Sequence, residues 1–157
     1  MSGFPTGVAV VSALDPHGIP RGMTCSSLCS VTLNPPTLLV CLRNGSPTLD
    51  AVLRRETFTV NFLHEKARST AELFASGAPG RFEEVRWEAG PGAGGPHLVE
   101  DAQSAADCLA KHTEQAGDHT VVFGQISEIV LYLCTPRPLL YGLRRYSAWT
   151  DTFPAPG

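Results

Sequence analysis

A mostly β fold, a closed or half-closed antiparallel barrel carrying short helices, is predicted by three observations. At least six short runs are rich in β-branched and apolar residues. Tight turn signals separate them. Helical apolar striping is confined to short stretches. A sheet of this kind buries its apolar face by closing on itself. The 157 residues suit one domain, 1–157, with a real core, and neither repeat nor linker divides it.

Val8 to Leu14 is the first strand. Asp15-Pro16-His17-Gly18 turns the chain, and Arg21 to Ser27 returns as the second arm of a hairpin. Asn34-Pro35-Pro36 stops what precedes it, because proline removes a donor and restricts its neighbour. Thr37 to Leu42 is then a buried strand. Ser46 reads as an N-cap with Pro47 at the first helical position, and Leu49, Val52 and Leu53 form one apolar stripe. Phe58 to Leu63 is a strand, and Lys66 to Ala75 a second short helix ending near Gly77. Ser76 to Pro96, with six glycines and three prolines, reads as a long surface loop pinned by Phe82 and Trp87. Glu100 to Gln115 is ambiguous, its Ala, Gln and Glu content favouring helix by propensity. Gly117-Asp118 is a turn into a strand from His119, kinked at Gly124. Pro138 to Tyr141 and Tyr146 to Trp149 close the chain as strands.

Composition narrows the function. A net charge of −3 lacks the basic stripe of a nucleic-acid surface. No run reaches the roughly 18 apolar residues of a membrane span, and Met1 to Pro5 carries no secretory pattern. The five cysteines include no Cys-x-x-Cys, and Cys25 and Cys29 lack a second ligand pair, so no metal site is predicted. Reduced cysteines in strands imply a cytoplasmic protein. Dinucleotide-binding glycine fingerprints, phosphate loops and nucleophile elbows are all missing.

Three places can carry chemistry. The helix mouth at Ser46-Pro47-Thr48 offers free N–H groups and hydroxyls to an anion, although plain N-capping explains it on spacing alone. Gly22 to Val31 is dense in small polar residues against which a flat ligand can lie, or is simply a hairpin arm with a wet face. His119 follows a Gly-Asp turn, the usual place of a surface histidine.

Taken together these pieces resemble the flavin reductase-like domain family, the FMN-binding split barrels that include reductase components of two-component monooxygenases. The matching segments are Phe4-Pro5-Thr6-Gly7-Val8, Gly22 to Pro36, Phe58 to Leu63, Arg81-Phe82, Gly95 to Leu98, Gly117-Asp118-His119, Gly124-Gln125-Ile126 and Pro138 to Tyr141. They follow the family's order along nearly the whole chain. Two features depart from it: Ser104 to Cys108 is smaller and more polar than usual, and the usual N-terminal helix is absent. The resemblance implies a Greek-key split barrel, makes Ala105 to Glu114 a strand, and implies a homodimer. It also implies NAD(P)H:flavin oxidoreductase activity with FMN or FAD as cofactor, NADH or NADPH as hydride donor, and a separate monooxygenase as partner. Thr24, Cys25, Ser26 and Ser27, with Ser30, Val31, Thr32 and Leu33, would line the isoalloxazine. Ser46 and Thr48 would hold the flavin phosphate, and Arg81 and Phe82 would lie near the phosphate or adenylate tail. His119 would face the nicotinamide, and Tyr146 would complete the pocket or a dimer contact. A flavin-binding electron carrier and a dimeric scaffold that has lost flavin are the competing readings.

Overall fold

A computed structural model describes residues 2–149; Met1 and 150–157 of the single-domain reading lie outside it. Strands β1 (Thr6–Gly7), β2 (Ala9–Leu14) and β3 (Pro20–Cys25) open the chain. The turn between β2 and β3 is held by Asp15, whose carboxylate accepts the N–H groups of His17 and Ile19, each at 2.9 Å. β4 (Leu28–Leu33) and β5 (Pro36–Arg43) form the next hairpin across Asn34-Pro35. Helix α1 (Pro47–Arg55) follows, then β6 (Thr57–Leu63) and helix α2 (Arg68–Ser76). After the short pair β7 (Glu88–Ala89) and β8 (Pro96–His97) come the two longest strands, β9 (Ala102–Ala116) and β10 (His119–Leu131). β11 (Leu139–Gly142) and β12 (Arg145–Ala148) end the described chain.

Seven strands form one antiparallel sheet in the order β3-β2-β6-β9-β10-β5-β4. Its two edge strands, β3 and β4, are joined by only Ser26 and Ser27, so the sheet must curl until its edges meet. Cys41 N–H donates to Ser27 O at 2.9 Å, which carries the β4–β5 ladder one residue further, to the two-residue seam that links the edges. Inside lie Val11, Val40, Leu42, Phe58, Val60 and Val122, all at 0% exposure, and α1 plugs the interior with Leu49, Ala51 and Val52. The kink expected at Gly124 is present as a register shift between Phe123 and Gly124, and a side chain there would overlap the Phe58 ring. Burying these side chains supplies the main drive to closure, at about 25 cal/mol per Å² of apolar surface.

Residues 102–116 are a strand, as the resemblance implied for Ala105 to Glu114 and against the segment's helical propensity. Two partners decide it: β6 on one side and β10 on the other pair with this segment. Tertiary pairing outweighs the few tenths of a kcal/mol per residue that propensity contributes. The 76–96 segment is the long surface loop expected, pinned by Phe82 and Trp87. Phe82 meets Phe74 and Trp87 edge-on at centroid distances of 4.9 and 6.0 Å, while its last residues are buried against the barrel wall. A Cβ on Gly94 would overlap Asp107 Oδ1 and Thr59 Oγ1, so only glycine lets the strap lie so close.

Candidate functional site

Strand register decides what shares a face. In β5, Leu38, Val40 and Leu42 point into the barrel, so Leu39, Cys41 and Arg43 point out. Directly opposite them on β10 stand Phe123, Val121 and His119. Cys29 of β4 is opposite Leu39, and His112 of β9 opposite Phe123. The outer side of β2, β3 and β6 is covered by α2 and the 76–98 strap, but this face is open. On it lies a cavity of about 470 Å³, lined by Ser26, Ser27, Leu28 and Cys29 at the seam, Leu39 and Cys41 from β5, and Phe4, Thr6, Tyr141 and Gly142 from the opposite side.

Continuing along β5 past Cys41 and Arg43, the open face reaches the mouth of α1. Ser46 caps the helix by accepting Leu49 N–H at 3.2 Å, which leaves its own hydroxyl hydrogen to donate to an anion. Pro47 has no N–H and Ser46 takes those of Leu49 and Asp50, so the Thr48 N–H is the first-turn donor left at the positive helix end. Asn44 binds this mouth to the β9–β10 turn. Its N–H donates to Asp118 O at 2.9 Å, its Nδ2 to Gly117 O at 3.2 Å, and its Oδ1 accepts from Thr120 Oγ1 at 2.7 Å. His119 is thereby fixed beside Arg43, its register partner. His119 Nδ1 is 2.8 Å from Asp118 Oδ1. That bond, the charge of His119 and the nearby Arg43 charge hold the Asp118 carboxyl below the usual carboxylate range. With Nδ1–H given to Asp118, the Nε2 of a neutral His119 is an acceptor.

The structure thus brings together Ser26, Ser27, Ser46 and His119 around one open face. Thr48, at 2% exposure, lies buried within the first turn of α1. Other expected residues lie elsewhere. Thr24 Oγ1 donates to Ala71 O at 2.6 Å and so faces α2. Cys25 belongs to the core, where burial pushes its thiol up to about 11. Ser30, Val31, Thr32 and Leu33 run to the far end of β4. Leu33 is paired with Pro36, seven residues from Arg43, or about 23 Å along the strand. Arg81 and Phe82 sit on the α2 side. Arg81 donates to Phe74 O at 3.1 Å, and burial, with Arg21 nearby, lowers its pKa. Tyr146 packs on Tyr141, with Arg68 above its ring.

Sequence reasoning missed Arg43, Asn44 and Cys41, whose Cys-Leu-Arg-Asn run looks like the end of any strand. It also missed a buried polar chain under the strap. His97 Nε2 is 2.7 Å from Asp107 Oδ1 and His97 Nδ1 is 2.8 Å from the Tyr132 hydroxyl, with His97 and Asp107 side chains at 1% and 0% exposure. Thr59 donates to Asp107 at 2.5 Å, and Gly92 N–H at 3.1 Å. This network lies on the covered face, where it ties the strap to the barrel.

Residues 1–150 match the family described as flavin reductase like domain. The chain belongs to that family. It is 51% identical over 150 residues to a flavin reductase (NADPH) of Lentzea aerocolonigenes, covering 96% of this chain and 86% of that one. It is 42% identical to a flavin reductase (NADH) of Kitasatospora aureofaciens, covering 95% and 78%. Its fold superimposes with a TM-score of 0.89 on the crystal structure of a nitrilotriacetate monooxygenase component B homologue from Mycobacterium thermoresistibile. That match is 30% identical and covers 99% of this chain and 87% of the other. As in these flavin reductase relatives, the fold is the split barrel that the sequence resemblance implied. No helix among the described residues is long and apolar enough to cross a membrane.

Proposed function

We propose that the open face transfers hydride from NADH or NADPH to a flavin, which makes this chain an NAD(P)H:flavin oxidoreductase. One observation carries the reading: a cavity walled by small hydroxyl, thiol and apolar groups leads along β5 to an anion-ready helix mouth, and Asn44 bonds that mouth to the turn presenting His119. The donor set fits a phosphorylated flavin, because the Ser46 hydroxyl hydrogen and the Thr48 N–H at the positive end of α1 have the polarity a phosphate needs. When bound, FMN or FAD supplies the hydride acceptor, and the redox chemistry is the cofactors' own. Ser26 and Ser27 bond the polar edge of the ring, while Leu39 and Cys41 support its face. Ser46 and Arg43 hold the phosphate with their side chains and Thr48 with its first-turn N–H, its own side chain being buried. His119 offers Nε2 to the nicotinamide carboxamide and orients the donor ring, since positioning is the protein's main contribution to such a step.

Several parts of this reading rest on chemistry and kinship together. The exposed Val31 (46%), Leu33 (87%), Ile129 (54%) and Leu131 (75%) suit a homodimer, which completes each site with residues from its partner. The single domain works in the cytoplasm, where its five cysteines stay reduced. It delivers reduced flavin to a separate monooxygenase. Steady-state oxidation of NADH and NADPH, with FMN, FAD and riboflavin added in turn, tests the activity. Oxidation of neither nucleotide with any flavin refutes it, and light scattering reads the dimer.

A further inference from the structure

The β11–β12 hairpin turns through Leu143 and Arg144, at φ values of 51° and 59°. They lie between the paired Gly142 and Arg145, so the turn has the form of type I′, in which both central residues need positive φ and Asn-Gly is the usual pair. A leucine and an arginine are sterically ill suited to that backbone. Packing does not reward the leucine, which is 72% exposed. Its N–H donates to Ser2 O at 2.6 Å, which docks the turn onto the N-terminal segment. Strained backbone that persists without packing reward points to a function.

The turn displays Arg144 and Arg145, both exposed. Arg21, Arg54, Arg68, Arg86 and Arg137 each pair with a carboxylate. Among the described residues Arg144 and Arg145, like Arg43, Arg55 and Arg81, have no carboxylate partner, and they alone of these stand side by side on the β11–β12 turn. Tyr141 and Gly142, the residues before the turn, line the cavity together with Ser2 and Phe4. Two guanidinium groups without a carboxylate partner among the described residues therefore stand on the turn beside the rim formed by the N-terminal segment and β11. The helix mouth with Ser46 is reached from the other rim, along β5.

We infer that Arg144 and Arg145 bind a phosphate monoester dianion, the 2′-phosphate of NADPH, and so set a preference for NADPH over NADH. The inference rests on the NAD(P)H:flavin reductase reading. Guanidinium forks match phosphate oxygens two bonds at a time and stay charged at every working pH. The helix mouth already serves the flavin phosphate, so the second cationic rim is left for the nucleotide. The 2′-phosphate is the one group that distinguishes the two donors, and it lies far from the reacting ring, as a rim site requires.

The test is kcat/KM for NADPH and NADH, with FMN and then riboflavin as acceptor. It compares the wild type, Arg144→Ala with Arg145→Ala, and Leu143→Asn with Arg144→Gly. The wild type should favour NADPH. The double-alanine variant should raise KM for NADPH about tenfold, the lower end expected for charge-assisted bonds at an exposed site, and thereby shift the NADPH/NADH ratio. The Asn-Gly turn should raise the melting temperature by relieving the backbone, yet lose part of the NADPH preference with its guanidinium. A wild type without preference, or variants that change both nucleotides equally, would overturn the inference. So would weakening that appears with FMN and not with riboflavin, which would assign the phosphate to the flavin. Oxidation of neither nucleotide by the wild type would instead remove the reductase reading itself.

Discussion

Ser46 carries two roles on one hydroxyl, and two substitutions separate them. Ser46→Ala removes the acceptor for Leu49 N–H, a 3.2 Å cap, at a cost of about 1 kcal/mol. For a domain of this length that lowers the melting temperature by about 2–4 °C. It also removes the donor to the flavin phosphate. A hydrogen bond to a charged group is worth about 1.5–3 kcal/mol, so FMN should bind about 10- to 150-fold more weakly. Riboflavin, with no phosphate, should be unaffected. Ser46→Gly keeps most of the capping, within a few tenths of a kcal/mol, so its melting point should fall by only about 1 °C while FMN weakens as in the alanine variant. Adding Thr48→Ala should cost mainly stability, because Thr48 is 2% exposed. Calorimetric titration with both flavins, beside thermal scans, gives all four numbers. Equal weakening of riboflavin and FMN refutes the phosphate assignment. A glycine variant that binds FMN like the wild type refutes the hydroxyl's part in it.

His119→Ala should slow stopped-flow flavin reduction by about a hundredfold through misplacement of the donor ring, with flavin affinity nearly unchanged; an unaltered rate at saturating NADH and an unaltered NADH affinity would remove it from the site. Gly94→Ala should destabilise by about 1–3 kcal/mol through overpacking against Asp107 and Thr59, and a wild-type urea midpoint would contradict the tight strap. Burial raises the Asp107 pKa, but bonds from His97, Thr59 and Gly92 and the His97 charge outweigh it and leave the carboxyl below its ordinary value. A depressed folded pKa stabilises fully above the unfolded value, about 3.9, and that stability is lost as pH falls through the folded value. Urea midpoints should therefore decline below about pH 4, less steeply for Asp107→Asn; equal slopes would exclude Asp107 as the source.

Local signals in the sequence were legible where one short-range cause suffices. Ser46-Pro47 marked the start of α1, Gly77 marked the end of α2 with φ of 73°, and Gly124 marked the kink. The helical propensity of Glu100 to Gln115 did not decide its structure because Ala, Gln and Glu report local preference, whereas β6 and β10 impose a pairing that no local window contains. The site was half legible for the same reason. Ser26, Ser27, Ser46 and His119 stand out by residue type, but Arg43 and Asn44 matter only because β5 runs beside β10. Thr24 and Arg81 resemble ligand contacts in sequence, yet α2 engages one through Ala71 O and the other through Phe74 O. Asp107, a polar residue in an apolar run, was a visible clue to the His97 network, but its partners are 10 to 48 residues away.

Two serines close this barrel, and that has a kinetic consequence. β2 pairs with β6, and β6 with β9, across roughly 50 residues each, so the chain must pay for long loops before the sheet forms, and folding is slow for its size. Ser26 and Ser27 are continuous in the chain, so the site they line takes its final shape only when the strands between β3 and β4 are in register. A ligand that grips the seam therefore stabilises the finished barrel without helping to assemble it. Its binding should slow unfolding and leave the refolding rate untouched, so that protease should cut the ligand-free protein sooner than the bound one.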